Sequence, residues 1–202
     1  MAAEADDIPT RQRILDAGLK LFSEHGFAGT SMRMLARATG LRESSLYNHF
    51  AGKDELYRSL TAQWGPFEFV QRLKSAEYRA LADQPAAFLR LCGKHLVERW
   101  VDPRDRMFMA LISMEGPEGA ASKRYHEALF REEIALLAEY FTGFAKNGLI
   151  APEPRETARM FVGGLTLIRR ERLMASGTPA QRRALEQAVT RYIDNFISTV
   201  LR

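Results

Sequence analysis

Residues 30–53 bring together side chains that can read and hold nucleic acid. An arginine can pair with the edge of guanine, and hydroxyl, amide and imidazole groups can hydrogen-bond to bases or to phosphate oxygens. We expect base contacts from Arg42, Ser44 and Ser45. We expect phosphate contacts from Thr30, Ser31, Tyr47, Asn48, His49 and Lys53. The first two of these would also present helix N-terminal amides to an anion.

A helix-turn-helix would position these side chains. Thr30 is predicted to cap a helix that ends at Gly40, where glycine permits a sharp left-handed turn. Ala36 is small where the two helices must approach each other, and a second helix runs from the turn to Phe50. In such a unit the second helix enters the major groove and its first residues face the bases.

An earlier helix precedes this pair and is predicted to pack against it. Thr10 is its expected N-cap and Gly26 its expected end. Apolar residues recur between them at spacings of three and four, which is typical of an amphipathic helix. Three helices are therefore predicted between Thr10 and Phe50.

An Ala-x-x-x-Gly turn alone does not establish DNA binding, because many helical proteins contain one, and Tyr47 could be a core aromatic. The complete run is more specific. The segment TRQRILDAGLKLFSEHGFAG, followed by TSMRMLARATGLRESSLYNHFAGKDELY, closely resembles the DNA-binding domain of the TetR/AcrR family of regulators, from about Thr10 to Tyr57. The stretch LYNHFAGKDEL looks like the most diagnostic part of that family.

This resemblance implies a DNA-binding three-helix domain, a larger all-helical regulatory region, a homodimer, and repression that a ligand relieves. It places Thr30, Tyr47, His49 and Lys53 on the phosphate backbone. Three positions depart from the common family pattern, which often has serine at position 42, glycine at 44 and an acidic residue at 34; this chain has Arg42, Ser44 and Met34 there. The start of the recognition helix and the operator sequence are therefore expected to be atypical.

The predicted fold class is all-α, with a three-helix DNA-binding domain and a larger helical ligand-binding and dimerisation domain. The expected divisions are a flexible arm at residues 1–9, the helix-turn-helix domain at 10–53, and the regulatory domain at 54–202. A helix break is expected at Gly65 and Pro66. Further helices are predicted at Pro85–Val101, Pro103–Met114, Glu118–Asn147, Arg155–Ala175 and Pro179–Arg202.

The charge distribution supports the hypothesis of DNA binding only weakly. Composition bears on where in the cell the protein is expected. Residues 8–53 carry seven basic and three acidic side chains, but residues 155–202 carry nine and four without an obvious need for DNA. The one cysteine excludes an intramolecular disulfide, and the N-terminus lacks the basic and apolar pattern of a secretory signal. We see no apolar run of the roughly 20 residues that a membrane-spanning helix needs. A cytoplasmic protein without a membrane partner is expected.

The last two predicted helices carry apolar stripes that need a partner surface. The expected dimer-interface residues are Phe161, Leu165, Ile168, Leu185, Val189, Tyr192 and Phe196. The same stripes could equally form the core of a single chain. The family resemblance favours pairing of the two helices with their copies in a four-helix interface.

The middle of the chain is rich in aromatic residues and methionine, which suit a pocket for a small apolar or aromatic effector. The predicted lining consists of Trp64, Phe67, Phe88, His95, Met107, Leu111, Met114, Tyr125 and Phe130. His95, Tyr125 and His126 are possible polar anchors. Effector binding would favour a dimer whose recognition helices no longer match the spacing of the DNA grooves.

Enzymatic function has little support. Cys92 and His95 could share a helical face as metal ligands or as a thiol and base, but no third ligand stands at a suitable spacing. A buried cysteine beside a surface histidine is the favoured reading. We expect no catalytic residue, metal or cofactor. The principal alternative to a regulator is a helical small-molecule-binding or interaction protein with a vestigial helix-turn-helix.

Overall fold

The computed structural model describes residues 9–64, 66–150, 153–173 and 178–201. The predicted arm at residues 1–9 lies outside this part of the chain apart from Pro9, as do Gly65, Ala175 and Arg202. The helices are α1 (Thr10–Gly29), α2 (Met32–Thr39), α3 (Glu43–Tyr47), α4 (Lys53–Gln63), α5 (Pro66–Leu73), α6 (Ala76–Arg79), α7 (Pro85–Val101), α8 (Pro103–Glu115), α9 (Ala120–Glu127), a π-helical segment (Ala128–Glu133), α10 (Ile134–Lys146), α11 (Pro154–Leu173) and α12 (Pro179–Val200). The predicted all-α fold is confirmed.

Local signals place most helix ends correctly. Helix α7 has the predicted bounds, and the break before Pro66 separates α4 from α5. Thr10 is the first helical residue and Pro9 takes the cap position, so the predicted threonine cap is wrong. Gly26 has φ +69° and interrupts the helical conformation before Gly29, in agreement with the expected stop.

The predicted helix Glu118–Asn147 divides into α9, the π-helical segment and α10. It begins two residues late, after Gly116 with φ +70°. The π-helical turn has no periodic signature in the sequence, since one extra residue in the turn merely rotates the pattern. Glu133, the last residue of this segment, is buried with 3% exposure.

The chain forms two compact units. The first comprises residues 1–65 and 107–125. Within its described part, α1 packs against α2 and α4. Its core side chains include Ile14, Leu19, Phe22, Leu35, Leu46, Leu56 and Leu60, all fully buried. Burial of this continuous apolar core stabilises the short helices α2 and α3, which are too short to be stable alone.

The second unit comprises residues 66–106 and 126–202. Here α10 packs on α11, and α12 packs on both α7 and α11. Phe88 lies at the centre of an aromatic cluster, with ring centroids of Tyr140 and Phe144 at 4.5 and 5.5 Å. Phe161 stacks against Phe196 at 5.2 Å.

These contacts correct the predicted dimer-interface residues. Phe161, Leu165, Leu185, Val189 and Phe196 are at most 8% exposed within the single chain. The stripes on α11 and α12 therefore face each other and α7 or α10, which is the intrachain alternative that the periodicity left open. Ile168 is half-buried.

Tyr192 also belongs to this intrachain packing. Its ring lies against Gly164, where an added Cβ would overlap the ring. Its hydroxyl donates to the carbonyl oxygen of Met160 at 2.7 Å. The glycine thus permits close approach of α11 and α12 within one chain. Burial in this contact raises the pKa of the Tyr192 hydroxyl to about 12.

Candidate DNA-binding surface

The turn between α2 and α3 has the geometry that its residues require. Gly40 is left-handed with φ +69°, and the amide of Leu41 donates to the carbonyl of Ala36 at 3.1 Å. This bond closes the C-terminus of α2 and turns the chain at once toward α3. Ala36 is 8% exposed. The helix-turn-helix predicted from the sequence is therefore formed.

The inner side of helix α3 is held by apolar and cationic contacts. Leu46 is fully buried and Phe50 is 1% exposed. The guanidinium of Arg11 lies 4.6 Å from the centre of the Phe50 ring. Arg13 donates to the carbonyl of Thr39 at 3.2 Å and so ties α1 to the turn. Helix α3 has only five residues and would not be stable alone, so these contacts fix its position.

The outer face of α3 carries the predicted readout residues. Arg42 and Ser44 are exposed, and Ser45 is half-buried. Arg42 occupies the N-cap position without a side-chain capping bond, so its guanidinium is not used to start the helix. Tyr47 is 51% exposed, which is incompatible with the alternative of a core aromatic. Asn48 is exposed and His49 half-buried beside it.

Ser31, and not Thr30, caps α2. Ser31 is the N-cap of α2, and its hydroxyl accepts a bond from the amide of Met34 at 3.2 Å. Thr30 is 2% exposed, and its hydroxyl donates to the carbonyls of Gly26 and Leu21 at 2.9 and 3.2 Å. The predicted capping and phosphate contact of the Thr30 side chain are therefore wrong, because its hydroxyl closes the end of α1.

Lys53 is a structural tether as well as a charge. Its ammonium donates to the carbonyls of Phe27 and Thr30 at 2.7 and 2.9 Å, and lies 4.3 Å from the centre of the Phe27 ring. Two of its three donors are thus occupied. Lys53 thus joins the start of α4 to the connection between α1 and α2, and the phosphate contact by its remaining donor stays a prediction.

Sequence reasoning missed two exposed cations on α2. Arg33 and Arg37 lie four residues apart, so they share a helix face, and both are exposed. The available signal was their alternation with the buried residues Met32, Leu35 and Ala36. Together with Arg42 they give this unit a basic outer surface.

The predicted effector pocket draws its residues from both compact units. Its residues are divided between the two units: Trp64, Met107, Leu111, Met114 and Tyr125 in the first, and Phe67, Phe88, His95 and Phe130 in the second. Met114 and Phe130 are 53% and 57% exposed, whereas Phe88 and Leu111 are fully buried core residues. The apolar pattern of the sequence thus did not distinguish core residues such as Phe88 and Leu111 from residues of a cavity.

Cys92 and His95 are both buried, at 0% and 7% exposure, so the predicted surface histidine is wrong. Nδ1 of His95 lies 3.0 Å from the hydroxyl of Tyr78. Burial lowers the pKa of His95 and raises that of the Cys92 thiol. No group of three or more metal-ligating side chains occurs in the described part of the chain.

Within the same residues, no helix combines the length and apolar character needed to cross a membrane.

Comparison with known proteins bears on the first unit most directly. Residues 14–60 match the family model of bacterial regulatory proteins of the TetR family. The HTH-type transcriptional regulator AcrR of Shigella flexneri is 34% identical over 132 residues, which are 64% of this chain and 54% of AcrR. The chain thus spans about half the length of this curated relative.

Solved structures share the fold along nearly the whole chain. A putative TetR-family transcriptional regulator from Mesorhizobium loti has a TM-score of 0.72 and 20% identity, covering 96% of this chain and 97% of its own. SmeT, the repressor of a multidrug efflux pump of Stenotrophomonas maltophilia, was solved in complex with triclosan; it has a TM-score of 0.70 and 21% identity, covering 96% and 92%. The helix-turn-helix region of this chain therefore matches the TetR family of bacterial regulatory proteins, and the chain shares its overall fold with these solved structures.

Proposed function

We propose that this protein is a ligand-responsive transcriptional repressor, and not an enzyme, that binds double-stranded operator DNA as a homodimer in the cytoplasm. The observation that carries this proposal is the arrangement of helix α3. Its inner side is anchored in the core, and its outer face and ends present the exposed residues Arg42, Ser44, Tyr47 and Asn48. A helix with this support and this polar face suits the major groove. The names of AcrR and SmeT as regulators support the same activity.

The base and phosphate contacts follow from exposure. Arg42 at the start of α3 would pair with guanine, and the neighbouring serines would contact bases or phosphates. Tyr47, Asn48 and the half-buried His49 would hold phosphate oxygens, with the amides after Ser31 at the start of α2. Operator recognition thus depends on few base contacts and on orientation by phosphates.

The dimer would use the outer face of α11, since the inner face is buried. Met160 and Leu167 on this face are 60% and 58% exposed. Gly163 lies between them at the spacing of one helical face, and an added Cβ there would meet no atom within 4 Å. Two large exposed apolar side chains beside an open glycine favour close packing of a second copy. Two subunits would supply the two recognition helices of a symmetric operator.

The test of DNA binding is a titration against fragments that flank the protein's own gene, at two salt concentrations and with excess nonspecific competitor. Tight, salt-sensitive binding that resists competitor is expected. Arg42→Ala should change base preference, whereas Tyr47→Phe should weaken binding across sequences. Arg131→Gln, in the second unit, is the matched control. Weak binding that competitor abolishes would favour the alternative of a vestigial helix-turn-helix.

The dimer has its own test. The double variant Met160→Glu, Leu167→Glu should sediment as a monomer and lose operator affinity, because it places charges in the proposed interface. Phe130→Gln is the control, since Phe130 is 57% exposed but lies outside α11. A double variant that stays dimeric would contradict the assignment of this face.

A further inference from the structure

A cavity in the second unit combines several cations with apolar walls. It has a volume of about 330 Å³ and lies where the end of α7 and the start of α8 meet the end of α11 and the start of α12. Its lining includes Trp100 and Leu185 and the four arginines Arg106, Arg169, Arg172 and Arg182. The volume is that of a small ligand site. None of the residues predicted for the effector pocket lines it.

The charge of this cavity is only partly compensated. Arg169 pairs with the buried carboxylate of Asp105, and Arg182 pairs with Glu186 at 2.9 Å. Arg106 and Arg172 form no ion pair with any residue that the structure describes. No carboxylate is among the residues that line the cavity. Two guanidinium groups therefore remain available to an anion.

Trp100 forms part of the apolar wall of the cavity. It is 5% exposed and is one of the lining residues. Its indole Nε1–H is fully buried and has no hydrogen-bond acceptor among the described residues, so the ring contributes apolar surface and not a donor.

The arrangement exceeds what helix stabilisation requires. Arg172 lies in the last turn of α11, where a cation also interacts favourably with the helix dipole. That effect does not explain the convergence of Arg106 from α8 and Arg182 from α12 on the same space. The apolar side chain of Leu185 supplies a wall that a purely inorganic anion would not need.

We propose that this cavity binds the effector, and that the effector is an organic carboxylate with a small apolar body. The role of this ligand as an effector rests on the proposed function. The binding of an anion in the cavity does not depend on DNA binding and can be measured separately. The carboxylate would be held by Arg106 and Arg172. Its apolar body would lie against Leu185. This narrows the effector from any apolar or aromatic molecule to an acidic one.

The experiment is isothermal titration calorimetry of the full chain with hexanoate, decanoate and 2-naphthoate, each beside its uncharged amide. At least one carboxylate should bind, and its amide should bind about tenfold more weakly or worse. Arg106→Gln and Arg172→Gln should each weaken the carboxylate by about tenfold and leave the amide unchanged. Arg131→Gln is the matched control, because Arg131 is 81% exposed and does not line the cavity.

Several outcomes would overturn the proposal. These are binding of none of the three carboxylates at millimolar concentration, equal binding of acid and amide, and unchanged affinity in the two cavity variants. If inorganic phosphate binds as tightly as the best carboxylate, the claim that the ligand has an apolar body is wrong. Operator release is measured separately with the same probe: a protein that binds the carboxylate but no DNA retains the anion site and refutes the regulator.

Discussion

Lys53 offers a sharp test, because the sequence predicts a phosphate contact for it whereas the structure shows its ammonium bound to backbone carbonyls. Its ammonium bridges the carbonyls of Phe27 and Thr30 at 2.7 and 2.9 Å. The variant Lys53→Met keeps an apolar stem of similar length beside the Phe27 ring but removes the donors and the charge. The two carbonyls then lose the ammonium donor where α4 joins the α1–α2 connection, and the Phe27 carbonyl keeps only the long bond from the Thr30 amide at 3.4 Å.

The expected loss of stability is about 2 kcal/mol. A hydrogen bond from a charged donor contributes roughly 1.5 to 3 kcal/mol when removed from a buried site. Lys53 is half-buried, so water can replace part of each bond and the two together count for less than their sum. The cation–π contact with Phe27, at 4.3 Å, adds about 0.5 kcal/mol at such a site. For a chain of this length the midpoint of thermal unfolding should fall by roughly 4–8 °C.

The assay is urea unfolding followed by circular dichroism, combined with operator titrations over a range of salt. A tether lowers the free energy of unfolding and leaves the salt dependence of DNA affinity unchanged. A direct phosphate contact would instead reduce the slope of log affinity against log salt by about one. Arg37→Gln, an exposed cation on α2, should leave stability unchanged. Full stability of Lys53→Met with a reduced salt slope would refute the tether.

Three further predictions concern stability. Burial raises the pKa of Glu133 to about 7, so the folded state holds this proton more tightly than the unfolded state; the resulting stabilisation is complete below about pH 4.5 and is lost as pH rises through 7. Urea unfolding should show a loss on the order of 3 kcal/mol between pH 5 and 8, which Glu133→Gln should flatten and the exposed neighbour's variant Glu132→Gln should not. Gly40→Ala should lower the free energy of unfolding by about 1 kcal/mol, because φ is +69° there although space is open; an unchanged urea midpoint would argue against the left-handed turn. Gly164→Ala should cost about 1–3 kcal/mol by displacing the ring of Tyr192, which near-ultraviolet circular dichroism would report; wild-type stability and spectrum would contradict the close packing of α11 and α12.

The elements of the DNA-binding surface could be predicted from the sequence because their signals are local. A left-handed glycine at position 40, a small residue at Ala36 and the buried spacing of Leu46 and Phe50 act within a few residues of each other. The same holds for the bounds of α7, which proline begins. The family resemblance over residues 10–57 uses these same residues and added the expected activity.

Partners across the fold could not be read in this way. Periodicity showed that Phe161 and Leu185 need a partner surface, yet it cannot say whether that surface belongs to the same chain, and the structure buries both internally. The acceptors of Lys53 lie 26 and 23 residues before it. The π-helical segment that ends at the buried Glu133 leaves no periodic mark in the sequence.

The proposed effector site shows the same division most clearly. Capping, turn and periodicity signals act over about one helical turn, so they could predict an all-helical chain with a helix-turn-helix and a polar face on α3. The grouping of Arg106, Arg172 and Arg182 around one cavity, with aromatic residues such as Phe88 in the core, depends on the folded chain. These arginines come from three helices, and their meeting depends on how helices dock, which is set by packing between residues far apart in the chain.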